Sequence, residues 1–469
     1  MFSKICLALF ISTSAFASYE GAEKFYGRGT INLSGYRRTV IELVNGGYYF
    51  SAVPWMKNFL VKNDRTLDSD LEYAFDKMLY HTGVKPFESL PVEILSRSRS
   101  GNIRYILAKR LFKQGNLREA IEQLNQVSAD HPAYPFVAHM KGTIYAALNS
   151  SNEAEGQFKD CIRASERQMG RVDSNLQKEQ LSLNKDYCVA GIGRVQFASK
   201  KYQDADLTYL DIQKSSFVWP EILFEEAWTS YYVKNYNRTL GKLVSYKAPV
   251  FDFIFKPEVE VLKALTYMKM CLYDDAKKTA DDFYKDLFEN SKQLRAFLNS
   301  RGKDYKYFYG LMSDHEEGRS LPVALGAPIL RSIQKDGAFL EMKGSLSSAL
   351  AEYNNLRKKS DSSFRANLMQ NLKQVLDDYR TVIGAYVRSG MITKYSELFS
   401  AFQGMSFIKL EILAQKKERL YQTDAPVGDK KRGDVKYIDR NDKQYFWTFN
   451  GEFWADELGD YVFALRSEC

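Results

Sequence analysis

The sequence predicts an all-α chain: a solenoid of helix pairs, then a long helical hairpin or bundle, then a short aromatic C-terminal tail. Three observations carry this. From Gly101 to about Asp286 small and large apolar residues recur with a period of 34, so that Ala120, Leu124 and Val127 are followed by Ala154, Phe158 and Cys161; a regular shift of this length marks a helical repeat. From Leu346 to Ile412 apolar residues are spaced by three and four, the pattern of long amphipathic helices. Beyond Tyr445 the helical period gives way to a dense run of aromatics, among them Phe446, Trp447, Phe449, Phe453 and Trp454.

Residues 1–17 read as a secretory signal peptide, with Lys4 as the positive start, an apolar run from Ile5 to Phe10, and Ala15-Phe16-Ala17 as a small-x-small cleavage site. Cys6 lacks the preceding small residues of a lipoprotein site. No other stretch has the roughly 18–20 consecutive apolar residues that span a bilayer. Export without an anchor points to the periplasm of a Gram-negative bacterium, or to secretion. Removing Lys4 with the leader lowers the net charge from +8 to +7. Basic and acidic residues alternate along the chain, so Lys416-Lys417 and Lys430-Lys431-Arg432 read as solvated faces and nucleic acid is not an expected partner.

Residues 18–100 form a helical N-terminal cap, with helices expected over 36–44, 48–61 and 67–80. Gly46-Gly47 and Gly83 are breaks, Asp68 or Ser69 is a cap, and Pro54 marks a kink or a later start. Such a block covers the apolar end that a stack of repeats exposes. The repeat array occupies 101–286 as five helix pairs. In the first, Gly115 stops helix A, Ala120 marks the close approach of the two helices, and Pro132 ends helix B. The second starts at Pro135 and carries Gly142, Tyr145 and Ala154. A polar insertion over 165–181 extends helix B, and the register resumes at Asp186 with Gly193, Tyr202, Ala205 and Tyr209. The fourth copy follows from Pro220 with Ala227 and Tyr236, but Thr239 replaces the small residue. After a three-residue slip the fifth runs from Pro257 through Ala264, Tyr273 and Ala280 to Phe283.

These residues resemble the tetratricopeptide repeat family, over about 180 of 469 residues. The resemblance implies antiparallel helix pairs stacked into a TPR-like α-solenoid, with a groove lined by the first helix of each pair that takes a peptide or a partner's helix. The family's groove-facing positions fall here on Tyr105, Lys109, Phe112 and Lys113, then Phe136, His139 and Thr143, then Tyr187, Arg194 and Phe197. They continue with Glu221, Phe224, Trp228, Tyr231 and Tyr232 in the fourth copy and Glu258, Val261, Leu265 and Met268 in the fifth. Aromatics dominate, which suits an apolar helix or extended segment from another protein. The competing expectation is that the chain's own N- or C-terminal block fills the groove.

Residues 287–328 read as a connector with one or two short helices, broken at Gly318, Pro322 and Gly326-Ala327-Pro328. Residues 329–421 are the long helices, turning near 360–363 and at Ser389-Gly390; their spacing also fits a coiled coil, which leaves open pairing with a partner or a second copy. Residues 422–469 are a polar linker and an aromatic and acidic tail. Its Trp447-to-Gly459 string resembles the tails of exported repeat proteins of deltaproteobacterial envelope and gliding machinery. Trp447, Phe449, Phe453 and Trp454 are expected to pack on the helical body with Glu452, Asp456, Glu457 and Asp460 facing water; a docking strand is the alternative.

Four cysteines remain after the leader. Cys161 with Cys188 is the local pairing and leaves Cys271 with Cys469; buried free thiols are the alternative. The histidines His81, His131, His139 and His315 lack the i, i+4 spacing of a helical metal site, there is no Gly-rich phosphate loop and no Gly-x-Ser-x-Gly elbow. No metal, cofactor or catalytic residue is therefore assigned. The expected function is a non-enzymatic periplasmic scaffold joining proteins of a bacterial envelope assembly, for motility, secretion or outer-membrane maintenance. The alternative is a cell-wall-binding or cell-wall-hydrolysing protein whose chemistry lies in the tail.

Overall fold

The computed structural model describes residues 19–26, 32–173, 175–421, 438, 440 and 443–469. The leader expected at 1–17 and most of the polar linker lie outside them. The fold is all-α. Helix α1 (19–26) is followed by α2 (Leu33–Asn45), α3 (Tyr49–Lys62), α4 (Ser69–Thr82) and α5 (Val92–Leu95). The repeats supply α6 (Gly101–Lys113), α7 (Leu117–Asn125), α8 (Tyr134–Ala147), α9 (Ser151–Met169), α10 (Asn175–Ala198), α11 (Tyr202–Tyr209), α12 (Trp219–Tyr232), α13 (Tyr236–Val244), α14 (Glu258–Lys269) and α15 (Tyr273–Arg301). Then come α16 (Tyr305–Glu316), α17 (Gly326–Gln334), α18 (Gly337–Arg357) and α19 (Ser363–Tyr421), and the two short strands β1 (Trp447–Thr448) and β2 (Tyr461–Val462).

Each A-to-B turn carries one residue in the left-handed region: Gly115, Asn149, Lys200, Lys234 and Cys271, at φ between 57° and 83°. Their separations are 34, 51, 34 and 37 residues, the repeat period with the insertion and the slip added. Only the first is glycine. The other four adopt the conformation at a cost of about 1 kcal/mol each, because the turn that stops helix A demands it.

Three expectations differ from what is observed. The insertion lengthens not α9 alone but both α9 and α10, which meet across a turn at 170–173. The fifth B helix does not end at 286; α15 continues to Arg301, since nothing breaks it before Gly302 and Ser291, Leu294, Phe297 and Leu298 keep a buried face. Ser389-Gly390 does not turn the chain; α19 runs through it as one helix of 59 residues. Pro54 sits inside α3 without delaying its start.

The chain divides into two compact units, Met1–Leu148 with Gly337–Ile383, and Asn149–Asp336 with Gly384–Cys469. In the first, α18 and the start of α19 are not an appendage. Leu356, Phe364, Leu368, Leu372 and Tyr379 share one core with Val40, Leu43, Met56, Phe75 and Phe87 of the N-terminal helices. Tyr48 has no side chain able to cap α3, and the cap comes from the far end of the sequence: Phe50 and Ser51 donate their backbone N–H groups to the Glu352 carboxylate at 3.0 and 2.8 Å, and the Ser51 hydroxyl donates at 2.5 Å. The orphan donors of a helix start are met by the oxygens of this carboxyl group, whose ionised form the helix dipole favours.

Burial nonetheless dominates, and it pushes the Glu352 carboxyl up to about 7 against the pull of these hydrogen bonds. Between about pH 4.5 and 7 the folded chain holds a proton that the unfolded chain has released. The associated stability is complete below the unfolded value and is lost as pH rises through the folded one. Denaturant unfolding is expected to lose about 3 kcal/mol across this window from this group, and Glu352→Gln, which cannot titrate, is expected to flatten that fall.

In the second unit the tail lies against the outer helix of the fourth pair. The carbonyl of Tyr461 passes so close to Gly241 that a Cβ there would sit 1.7 Å from it. Phe463 donates to the Asn237 carbonyl at 3.1 Å, the Asn237 side chain bonds both backbone groups of Leu465 at 2.9 and 3.0 Å, and Gly459 donates to the Ser245 hydroxyl at 2.9 Å. Trp447 and Thr448 pair in parallel with Tyr461 and Val462. Phe449 and Phe453 pack inward as expected, but Trp447 and Trp454 stay exposed, and Asp460 is bound by Lys214 at 2.7 Å rather than facing water. Cys161 is bonded to Cys188, and Cys271 to Cys469.

Candidate functional site

Within the second unit, the A helices α10 and α12 bring together a cluster of half-buried aromatic rings with one exposed member, Tyr232. Their approach to the B helices depends on small residues: at Gly193 a Cβ would meet the Tyr209 ring at 2.3 Å. The C-terminal turns of the A helices then present Phe197, Trp228, Tyr231 and Tyr232. Tyr202 and Tyr236, the first residues of α11 and α13, join them. Tyr202 stacks on Tyr232 with centroids 4.8 Å apart, Phe197 meets both edge-on at 5.2 and 5.4 Å, and Trp228 contacts Tyr231 and Tyr232 at 5.5 and 5.9 Å. Tyr231 packs on Tyr236 at 5.7 Å. Burial pushes the Tyr231 phenol up to about 12, so it is neutral at physiological pH and available as a hydrogen-bond donor. Tyr232 is 47% exposed and forms the open edge of the cluster, beside exposed Val233.

Tyr202 and Tyr236 are register positions of the B helices and lie outside the helix-A positions that the repeat resemblance assigns to the groove. Their signal was an aromatic at the start of helix B repeated after 34 residues.

The remaining groove positions are placed differently. Phe224 is 7% exposed, packed with Val259 and Leu262 beneath Lys256, so it is core rather than lining. Arg194 is held by Glu221 and Glu225 at 2.8 and 2.7 Å, and these carboxylates raise its already high pKa against the opposing effect of burial. Tyr187 is pushed up to about 12, by burial first and then by Glu221 and Asp336. Val261 lies against α19, where a Cβ on Gly404 would meet it at 3.0 Å. Helix α19 therefore covers part of the fifth A helix, while the aromatic cluster of the third and fourth copies keeps an open edge.

In the first unit the groove positions of repeat one face the chain itself. Lys109 donates to Glu88 at 3.0 Å, and the charge of Glu341 on α18 acts on both Lys109 and half-buried Tyr105. Phe112 packs partly into the core of the first pair, Lys113 and Thr143 are exposed, and Phe136 and His139 are half-buried.

A concavity of about 440 Å³ lies where the tail meets α12, lined by Trp219, Tyr445 and Trp447. Its lysines, Lys214 and Lys443, are already bound to Asp460 and Asp211, both at 2.7 Å. Among the described residues no group of three His, Cys, Asp or Glu is arranged to hold a metal ion, and no helix is long and apolar enough to cross a membrane.

No family model matches the chain, and no curated protein matches it either. Solved structures overlay on it only loosely. The apo form of RapI does so with a TM-score of 0.34 at 9% identity, over 79% of this chain and 97% of that one. The Rap conjugation gene regulator of plasmid pLS20, in complex with the Phr* peptide, gives 0.33 at 10% identity over 75% and 96%. A Rap protein complexed with competence and sporulation factor gives 0.31 at 11% over 74% and 99%. Likeness at this level bears on no functional question, and the all-α helical-repeat fold rests on the chain's own helix pairs.

Proposed function

We propose that the chain is a non-enzymatic scaffold of the tetratricopeptide kind that binds an apolar or aromatic segment of another protein at the cluster of Phe197, Tyr202, Trp228, Tyr231, Tyr232 and Tyr236. One observation carries the reading: six aromatic rings in mutual contact, with an open edge at Tyr232, on rigid helices. Tyr and Trp give large contact area at low entropic cost and dominate interface energies. The phenol hydroxyls would fix the register of a bound backbone.

The partners are envelope proteins in this reading, and the compartment is the periplasm. Two disulfide-bonded pairs are consistent with an oxidising compartment, and the leader-like residues 1–17 are the sequence counterpart of that reading. Cross-linking of intact cells followed by capture of the chain and mass spectrometry tests both parts. The double variant Trp228→Ala with Tyr232→Ala is expected to lose the principal partner, with binding weakened by about 2–4 kcal/mol, while circular dichroism stays close to that of the parent and the unfolding midpoint falls, because Trp228 also packs on the core of Phe224 and Leu262. Equal recovery of partners by a folded double variant would count against the site, and recovery of cytoplasmic partners alone would count against the compartment.

A further inference from the structure

Helix α19 is apolar on two sides. Between Leu398 and Ile412 its inner side, Leu398, Ala401, Met405, Ile408 and Ile412, is buried in the second unit. Phe402 packs on Phe283 and Tyr284 with centroids 5.0 and 5.3 Å apart, and Lys409 and Lys416 reach Asp281 and Asp274 on α15 at 2.9 and 2.5 Å. The outer side should then be polar. Instead Phe399, Phe407, Leu410 and Leu413 stand 52%, 73%, 64% and 63% exposed. At about 100° per residue these four fall within an arc of about 120°; the other residues of that arc between 399 and 414, Gln403, Ser406 and Ala414, carry no charge, and exposed Lys417 bounds it one turn beyond Leu413. Phe288 of α15, 42% exposed, lies beside Phe402 at the edge of the same face.

We propose that this face pairs two copies of the chain, antiparallel, about a twofold axis near Ser406. The inference goes beyond the aromatic site and does not rest on it. An isologous contact requires a patch complementary to itself. Antiparallel pairing about Ser406 sets Phe407 of one copy over the small Ser406 of the other, whose hydroxyl is turned away to Tyr284 at 2.6 Å. It also sets Phe399 of each copy over Leu413 of the other. Between positions 399 and 414 the face carries no charge and so no preference for a partner of one sign.

The chain's own remaining segments do not suit the face. The residues that follow α19 carry Asp424, Asp429, Lys430, Lys431, Arg432 and Asp434, which would have to be desolvated against it, and the tail from Tyr461 to Cys469 is pinned to the fourth and fifth pairs. The four side chains expose roughly 450 Å² per copy, so a pair removes about 900 Å² from water, and Phe288 brings the total near the ~1,000 Å² at which specific interfaces begin. A dimer in exchange with monomer at micromolar concentration follows.

Sedimentation equilibrium of the purified full chain over a hundredfold range in the micromolar regime is expected to show mass rising from monomer to dimer. Phe407→Glu with Leu410→Glu is expected to stay monomeric throughout, with helical content and unfolding midpoint unchanged because both residues are exposed. Phe399→Cys is expected to cross-link on mild oxidation only when mixed with Leu413→Cys. A parent chain monomeric at the highest concentration overturns the proposal, as does a dimer that survives in the double variant or a dimer in which the Phe399→Cys and Leu413→Cys chains fail to cross-link. A monomer that loses a co-purified protein, or binding to lipid vesicles, in the double variant assigns the face to that partner and overturns the pairing equally.

Discussion

Replacing Lys242 with Met is expected to lower the unfolding free energy by about 3–5 kcal/mol. Lys242 on α13 and Glu226 on α12 form an ion pair in which both residues are almost fully buried, 1% and 3% exposed. The pair sits in a wider polar cluster: Asp206 accepts from Thr229 at 3.0 Å and from Gln444 at 3.0 Å, and Arg238 lies 3.5 Å from it. A buried ion pair adds little net stability, because desolvation consumes most of the attraction, but removing one partner leaves a buried carboxylate without its direct partner, which the more distant Arg238 offsets only in part. Burial already pushes the Glu226 carboxyl above the usual carboxylate range, opposed by Lys242. The loss in Lys242→Met should therefore be largest at alkaline pH and shrink in acid, where Glu226 takes up a proton. The double variant Glu226→Leu with Lys242→Met is expected to regain most of the stability. Denaturant unfolding of the three chains at two pH values checks this, and a single variant within about 1 kcal/mol of the parent would mean that water reaches the pair.

Cys469→Ser is expected to cost about 4 kcal/mol, the upper part of the range for native disulfides. The bond to Cys271 closes a separation of 198 residues, and the entropy removed from the unfolded chain grows with the length of the closed loop. It also fixes the end of the tail, where Glu468 donates to the Met270 carbonyl at 2.9 Å and Ser467 does so at 3.2 Å. The parent under reducing conditions should approach the variant in unfolding midpoint, and limited proteolysis should cut the variant first near the C-terminus. A variant as stable and as resistant as the parent would show that the hydrogen bonds of Asn237 and Ser245 hold the tail without the bond.

The repeats were legible because their signal is local and recurs. A helix pair needs a small residue where its helices meet and a stop between them, and Ala120, Ala154, Gly193 and Ala205 mark those places in the bare sequence. Thr239 looked like an irregularity in the fourth copy. Thr239 is fully buried within α13 and donates its hydroxyl to the Asn235 carbonyl at 3.2 Å, so the position stays interior although the residue is not Ala; on the side of α13 that carries Asn237 and Ser245, Gly241 is the point where the backbone of Tyr461 crosses. The same holds for Gly390. A Ser-Gly step reads locally as a helix break, yet within α19 glycines serve close packing, since a Cβ on Gly384 would overlap the Tyr305 carbonyl and one on Gly390 would meet Ile333 at 2.8 Å.

The candidate site was legible in part for a related reason. Phe197, Trp228, Tyr231 and Tyr232 follow from helix periodicity, which says which residues share a face. Periodicity does not say what covers that face, and so it could not separate Phe224, sealed under Lys256, from Tyr232, open to solvent.

The helical class, the 34-residue period with its insertion and slip, and the aromatic character of the helix-A face are set locally, because each is written in neighbours three, four or 34 residues apart. That Glu352 caps α3 and that the tail lies on α13 follows from long-range packing. The same packing decides that α19 covers Val261 while leaving the cluster at Tyr232 open. Those outcomes depend on contacts between residues far apart in the chain, from Val261 with Gly404 to Phe50 with Glu352, which leave no periodic trace in the sequence.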